Sequence, residues 1–399
     1  MKGKDKVFKN SFENEKQYKK SLVLICFLSS LNYNLIYFYS KHMEIYYFVE
    51  NIESMASTVG IVNALFGAVK CNNIDSIKVL IGKEGFDINV MDSIGNTALM
   101  IACMFNHIDV VKLLVENGAE INIKNQDGKS PLYHASKNLD IVKYLIENGA
   151  EVDILDNKNR TPLFRAVKTG KVEIAKYLIE KGANVNNRSV HKSTPLHYAS
   201  TEDHIELMKL LLDNGAEVNV QDDLGETPLF YTLSLESIQI LLFYNADPTI
   251  RNLDGINILH VCAYWNQFDA IDILVKHSAD VNAQDKNEKT PLHIAAEQGN
   301  DEVIKQLIKN KANVDVKDIS GNTPLSRAVW GNHIETVKLL LSHGADPNIK
   351  NISGKSPLDI SKSKNNVKMT KLLSGDIFKS NQSDSLTNEY LDSFNLHST

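Results

Sequence analysis

A chain of 399 residues with 43% apolar and 23% charged side chains holds enough apolar material for a large core, and its composition is neither collagen-like nor that of a disordered chain. Four scattered Cys exclude a disulfide scaffold, and a formal charge of −6 excludes a nucleic-acid binder that relies on whole-molecule charge.

Residues 1–20 carry seven Lys against three acids and read as a basic leader. Residues 21–43 form an apolar segment in which 21–40 hold no charged side chain, a length that matches a bilayer span. Inserted, it is a signal anchor with the N-terminus inside. No small-x-small cleavage site follows, which argues against a removable signal peptide. Ser29, Ser30, Asn32 and Asn34 interrupt the run, so two other readings stand beside insertion. One is an extra apolar helix on the first repeat; the other is a translation start at Met43 or Met55. Residues 44–62 read as a connecting segment.

From there the chain repeats. Thr-Pro-Leu recurs from Thr161, Thr194, Thr227, Thr290 and Thr323, and Ser-Pro-Leu from Ser130 and Ser356. Degenerate copies open at Thr97 and Asn257, and a weaker tenth at Asn63. Most successive starts are 33 residues apart, a period that marks a repeat architecture. In each copy a Thr, Ser or Asn caps a helix and Pro takes its first position, where the missing N–H costs nothing. A Leu and a small residue three places on, such as Leu292 and Ala295, share one helical face. A second apolar stripe follows, as in Ile334, Val337 and Leu340, and ends at glycines suited to a left-handed cap: Gly118, Gly149, Gly182, Gly215 and Gly344. A second glycine slot holds Gly95, Gly128, Gly225, Gly255, Gly321 and Gly354. Between the two slots lies a short β-prone stretch such as Glu217–Val220, expected to form a hairpin finger.

These features resemble the ankyrin-repeat family. Its consensus, Asp-x-x-Gly-x-Thr-Pro-Leu-His-x-Ala and then Gly-Ala-Asp, is matched nearly verbatim by Asp285–Ala296 and Gly344–Asp346. The resemblance spans residues 63–375 and implies an all-α repeat solenoid of stacked helix pairs with β-hairpin fingers. Neighbouring units must stack, because one unit cannot bury both its helices. Ser361, Lys362, Ser363 and Lys364 make the last copy polar, as a water-facing terminal cap requires. The copies from Ser130 and Thr227 are short between their helices, so their first helices should be truncated. Asn245, Ser278 and Lys311 replace the capping glycine in three consecutive copies, which makes residues 227–322 the expected softer part of the array. Residues 376–399, with a net charge of −3, read as a disordered polar tail.

No residue is assigned to catalysis, to a cofactor or to a metal. His197, His260 and His293 occupy the family's structural His slot, and His107, His204 and His333 a recurrent inter-helix slot. Cys103 and Cys262 sit at small-residue positions, and no C-x-x-C pair or clustered-glycine phosphate loop exists.

In the family, partners touch the finger tips and the positions seven and eight residues after the helix cap. Those positions hold Met104 and Phe105, Tyr264 and Trp265, and Trp330, so both Trp of the chain fall in the set. Leu253, Ile256 and Ile319 join them from the fingers. The expected function is a non-enzymatic protein-interaction scaffold, a monomer binding partner proteins, with no nucleic acid and no small-molecule substrate. A cytoplasmic location is favoured. The alternative is a membrane-tethered or exported factor, held through residues 21–40 and acting on a partner elsewhere, such as a host protein.

Overall fold

A hydroxyl followed by Pro starts a helix because the hydroxyl takes up a free N–H while Pro forfeits no hydrogen bond. In the computed structural model, which describes residues 58–232 and 234–374, seven prolines open helices in this way, from Pro131 to Pro357. The caps are extended; Ser130 and Thr323 each accept, at 3.3 Å, the N–H three residues on.

The chain divides into two compact units, Met1–Asn184 and Val185–Thr399. The first contains α1 (Thr58–Lys70), α2 (Ile74–Ile81), α3 (Ala98–Met104), α4 (Ile108–Glu116), α5 (Pro131–His134), α6 (Leu139–Glu147), α7 (Pro162–Lys168) and α8 (Val172–Glu180). The second contains α9 (Pro195–Thr201), α10 (Ile205–Asp213), a 3-10 turn at Pro228–Tyr231, α11 (Leu235–Phe243) and α12 (Ile258–Trp265). It continues with a 3-10 turn at Phe268–Ala270, α13 (Ile271–Lys276), α14 (Pro291–Gln298), α15 (Asp301–Lys309), α16 (Pro324–Gly331), α17 (Ile334–Ser342), α18 (Pro357–Ser363) and α19 (Val367–Leu373). Each unit is thus an all-α repeat stack. The first pair begins at Thr58, ahead of Asn63, which lies exposed inside α1.

Within each unit the cores come from the repeated phrase. Leu132, Ala135, Leu163 and Ala166 are buried in the first, and Leu196, Ala199, Leu292 and Ala295 in the second. The second-helix stripes join them through Val111 and Leu114, and through Val337 and Leu340. The two short copies have truncated first helices: α5 has four residues, and the copy from Thr227 keeps only its 3-10 turn. Ser361 corrects the reading of the terminal copy. It is fully buried, its hydroxyl donating to the Leu358 carbonyl and bonded to Thr370, while Lys362, Ser363 and Lys364 are exposed.

The fingers also differ from expectation: no strand forms among the described residues. Met91 and Thr97 make a single bridge, and Glu217–Val220 is a turn. The reason is where the backbone bonds go. Asp222 Oδ1 accepts the N–H groups of Leu224 and Glu226 at 2.9 and 3.0 Å, closing the tip on a side chain. The Glu217 N–H is held at 2.8 Å by Asn186 of the preceding finger. Adjacent tips share one backbone bond, such as Leu253 N to Leu224 O at 2.9 Å, so no ladder is left to build.

Asn245, Ser278 and Lys311 are left-handed, with φ of 64°, 77° and 68°. Asn tolerates this conformation; Ser and Lys do not. Ser278→Gly and Lys311→Gly are each expected to stabilise the protein by about 1 kcal/mol. A higher urea midpoint would record the gain, and an unchanged one would refute the strain. Beyond the two glycine slots, a third left-handed slot runs through the inter-helix turns. It is filled by Asn72, Asn106, Gly170, Asp203, Asn266, Gly299, Asn332 and Asn365.

No helix among the described residues is long and apolar enough to cross a membrane. The leader, the apolar segment 21–43 and the tail 376–399 lie outside the described residues.

Candidate protein-binding surface

A side chain late in a first helix, on the face away from its own partner helix, meets solvent unless a neighbour covers it. In the second unit these helix ends are tied in a row by side chains from the inter-helix turns. Gln267 donates to the Thr232 carbonyl at 3.0 Å and Asn300 to the Ala263 carbonyl at 2.8 Å. His333 Nε2 bonds the Glu297 carbonyl at 2.9 Å, and the Lys364 ammonium donates to the Trp330 carbonyl.

On this row Trp265 is 65% exposed, Tyr264 53% and Trp330 49%. Tyr264 and Trp265 meet edge to face with ring centroids 5.0 Å apart, so each braces the other while their outer faces stay open. Lys364 holds its ammonium 4.2 Å from the Trp330 ring centroid. The copy between the two indoles contributes Glu297, which is paired with Lys289 at 2.7 Å and with Arg327 at 3.7 Å. Arg327 also binds Asp318 through Nε at 2.8 Å. Burial alone would raise the Asp318 pKa, but the Arg327 and Asn322 bonds hold it below the ordinary carboxylate value. The Lys289 ammonium and the Arg327 guanidinium thus neutralise the carboxylates of Glu297 and Asp318, while the Lys364 ammonium rests on Trp330.

From the fingers, Leu253 and Ile319 are exposed, whereas Ile256 is half-buried. In the first unit Phe105 is exposed and stacks on His107 at a centroid distance of 6.0 Å, beside a half-buried Met104. Sequence reasoning missed Phe243, 79% exposed at the end of α11, and Phe268 in the following copy. Both are apolar residues at outward positions of their copies, a signal that reading only first helices and fingers passes over.

The histidines are structural clasps. His293 Nδ1 accepts the Thr290 N–H at 3.1 Å while Nε2 reaches the Asn322 carbonyl of the next finger at 3.0 Å. His197 and His260 repeat the arrangement with Thr194 and Glu226, and with Asn257 and Lys289. Burial pushes the His293 pKa down to about 4 and lowers the other two, so all three are neutral and bound on both nitrogens. Burial likewise pushes the Cys262 thiol up to about 12 and raises that of Cys103. Neither is a ready nucleophile. Among the described residues no group of three or more His, Cys, Asp or Glu side chains could hold a metal ion.

The family model for ankyrin repeats (three copies) matches in overlapping stretches from residue 65 to residue 384. An ankyrin repeat-containing protein of Schizosaccharomyces pombe is 41% identical over 54 residues, 14% of this chain and 26% of that protein. Human ankyrin repeat domain-containing protein 29 is 40% identical over 62 residues, covering 16% of this chain and 21% of the relative. Human protein phosphatase 1 regulatory subunit 27 is 38% identical over 68 residues, covering 17% and 44%. The chain therefore aligns with only about a quarter of the length of the first two.

Proposed function

The chain belongs to the ankyrin-repeat family, whose repeats bind proteins, and from that premise we propose that it is a non-enzymatic interaction module working through the aromatic row of its second unit. The observation that carries this reading is the exposure of both Trp of the chain at the ends of two first helices, two copies apart. Solvent-facing indoles bury large area on binding at little entropic cost, whereas indoles that only sealed the stack would be covered. Tyr264, Trp265 and Trp330 form the centre, with Leu253, Ile256 and Ile319 as the finger side. Met104 and Phe105 are a smaller patch of the first unit. The partner in this reading is a protein.

The Trp265→Ala/Trp330→Ala double variant is expected to lose its partner, by at least about 2 kcal/mol of binding, with a thermal midpoint shifted by only a few degrees. Pull-down with the intact and the variant chain, each checked by a thermal melt, measures both. Partner capture that survives in a destabilised variant would make the indoles packing elements instead.

A further inference from the structure

The binding reading leaves two exposed indoles and a Tyr facing water, with Lys364 beside Trp330. The chain carries, just beyond the last described helix, a segment of matching chemistry. Residues 386–396 read Leu-Thr-Asn-Glu-Tyr-Leu-Asp-Ser-Phe-Asn-Leu: Tyr390, Leu391, Phe394 and Leu396 supply apolar side chains, and Glu389 and Asp392 supply two carboxylates with no cation among them. We propose that this segment docks on the aromatic row of its own chain, Tyr390 and Phe394 against the indoles and the carboxylates toward Lys364. The inference rests on the reading of the row as a binding surface, and it names the chemistry of what binds there: an acidic, aromatic peptide. A partner with that chemistry would have to displace the segment.

Reach and spacing both allow it. The described chain stops at Ser374, directly after α19, the partner helix of α18, whose C-terminal neighbour Lys364 already lies on Trp330. α19 has seven residues, about 10 Å of helix, while residues 375–388 can span about 45 Å when extended. Packed first helices stand about 8–10 Å apart, and Trp265 and Trp330 are two copies apart, so the indoles are separated by roughly 20 Å. An extended run from Tyr390 to Leu396 covers about 20 Å as well. Charge favours the match, since the Lys364 ammonium lies on the Trp330 ring and the segment is anionic. A tether of this length sets an effective concentration on the order of 1 mM, enough to hold even a weak peptide in place.

Both Trp of the chain lie on the row, so indole fluorescence reports the surface directly. In the full-length chain, Tyr390→Ser/Phe394→Ser is expected to raise acrylamide quenching of Trp emission roughly twofold, because a surface at least half covered becomes open. A synthetic peptide of residues 386–396, added to that variant, should restore protection in a saturable way that weakens as salt is raised. Equal quenching in the wild-type and variant chains, at any concentration, overturns the proposal. Protection that appears only as protein concentration rises assigns the cover to a second copy and also overturns it. The binding reading is judged separately, by whether the Trp265→Ala/Trp330→Ala chain still captures its partner. The tail can therefore fail while the surface stands.

Discussion

Unfolding of the Val185–Thr399 unit in urea is expected to cost about 2.5 kcal/mol less at pH 4.5 than at pH 7 through His293 alone, with His197 and His260 adding in the same direction. The sign follows from the clasp. Nδ1 accepts a backbone N–H, so the folded protein needs the neutral ring, and burial holds the folded pKa at about 4. The unfolded ring titrates near 6.5, so its protonation begins to draw the equilibrium toward the unfolded chain as pH falls below that value. The stabilisation is complete above about pH 6.5 and is lost as pH drops through 4. The surrounding groups do not reverse this. The Asn322 carbonyl and Asp318 favour the charged ring, Arg327 and Lys289 disfavour it, and burial outweighs them all. Asp318 itself titrates below the ordinary carboxylate value, so its loss comes at lower pH than most of the histidine window. His293→Gln should lower stability at pH 7 and flatten the slope between pH 6.5 and 4. An identical slope in the variant would show that His293 does not carry the effect.

That clasp illustrates how far the residues alone could be read. The His slot was visible because it recurs at a fixed place in the phrase, and Pro and the capping hydroxyls were visible because their effect is local: a fixed φ, a missing donor, an acceptor at hand. The truncated first helices followed from counting, since a copy short by two or three residues has nowhere else to lose them. The fingers were misread because alternation such as Glu217-Val218-Asn219-Val220 signals a strand only when a ladder is available, and the amide of Asn186 had already taken the Glu217 N–H. Left-handed Lys311, Lys192 and Glu288 carry no mark of their conformation; the slot imposes it. At the surface, the contact offsets that the family resemblance implies picked out Trp265 and Trp330, and both side chains are exposed. The offsets could not show Lys364 over the Trp330 ring, nor Arg327 against Glu297, because those contacts join different copies. Phe243 was passed over for a similar reason: its exposure depends on which face of α11 the neighbouring copies leave open.

Core and surface residues of one repeat pair should respond in opposite ways to the same kind of substitution. Leu292→Ala is expected to destabilise the protein by about 3–4 kcal/mol, because Leu292 is fully buried and removing its isobutyl group leaves a cavity as well as losing transfer energy. The site has little freedom to collapse. Pro291 and the His293 clasp fix the first turn of α14, and the Thr290 cap and Asn322 carbonyl fix the clasp in turn. In a repeat stack the damage falls on the copy and on both of its interfaces, so unfolding should lose cooperativity as well as free energy. Trp330→Ala removes a larger side chain from the next copy but should cost only about 1 kcal/mol, since half of the indole already faces water and the Lys364 bond goes to the Trp330 backbone carbonyl, which the substitution keeps. The crossed pattern is Leu292→Ala unfolding early in urea while the folded fraction still captures the partner, and Trp330→Ala unfolding normally while capture weakens. A Trp330 variant that melts several degrees early would place the indole in the core of the stack. A Leu292 variant within 1 kcal/mol of the wild type would mean that the stacking of α14 against its neighbours does not set the stability of the unit.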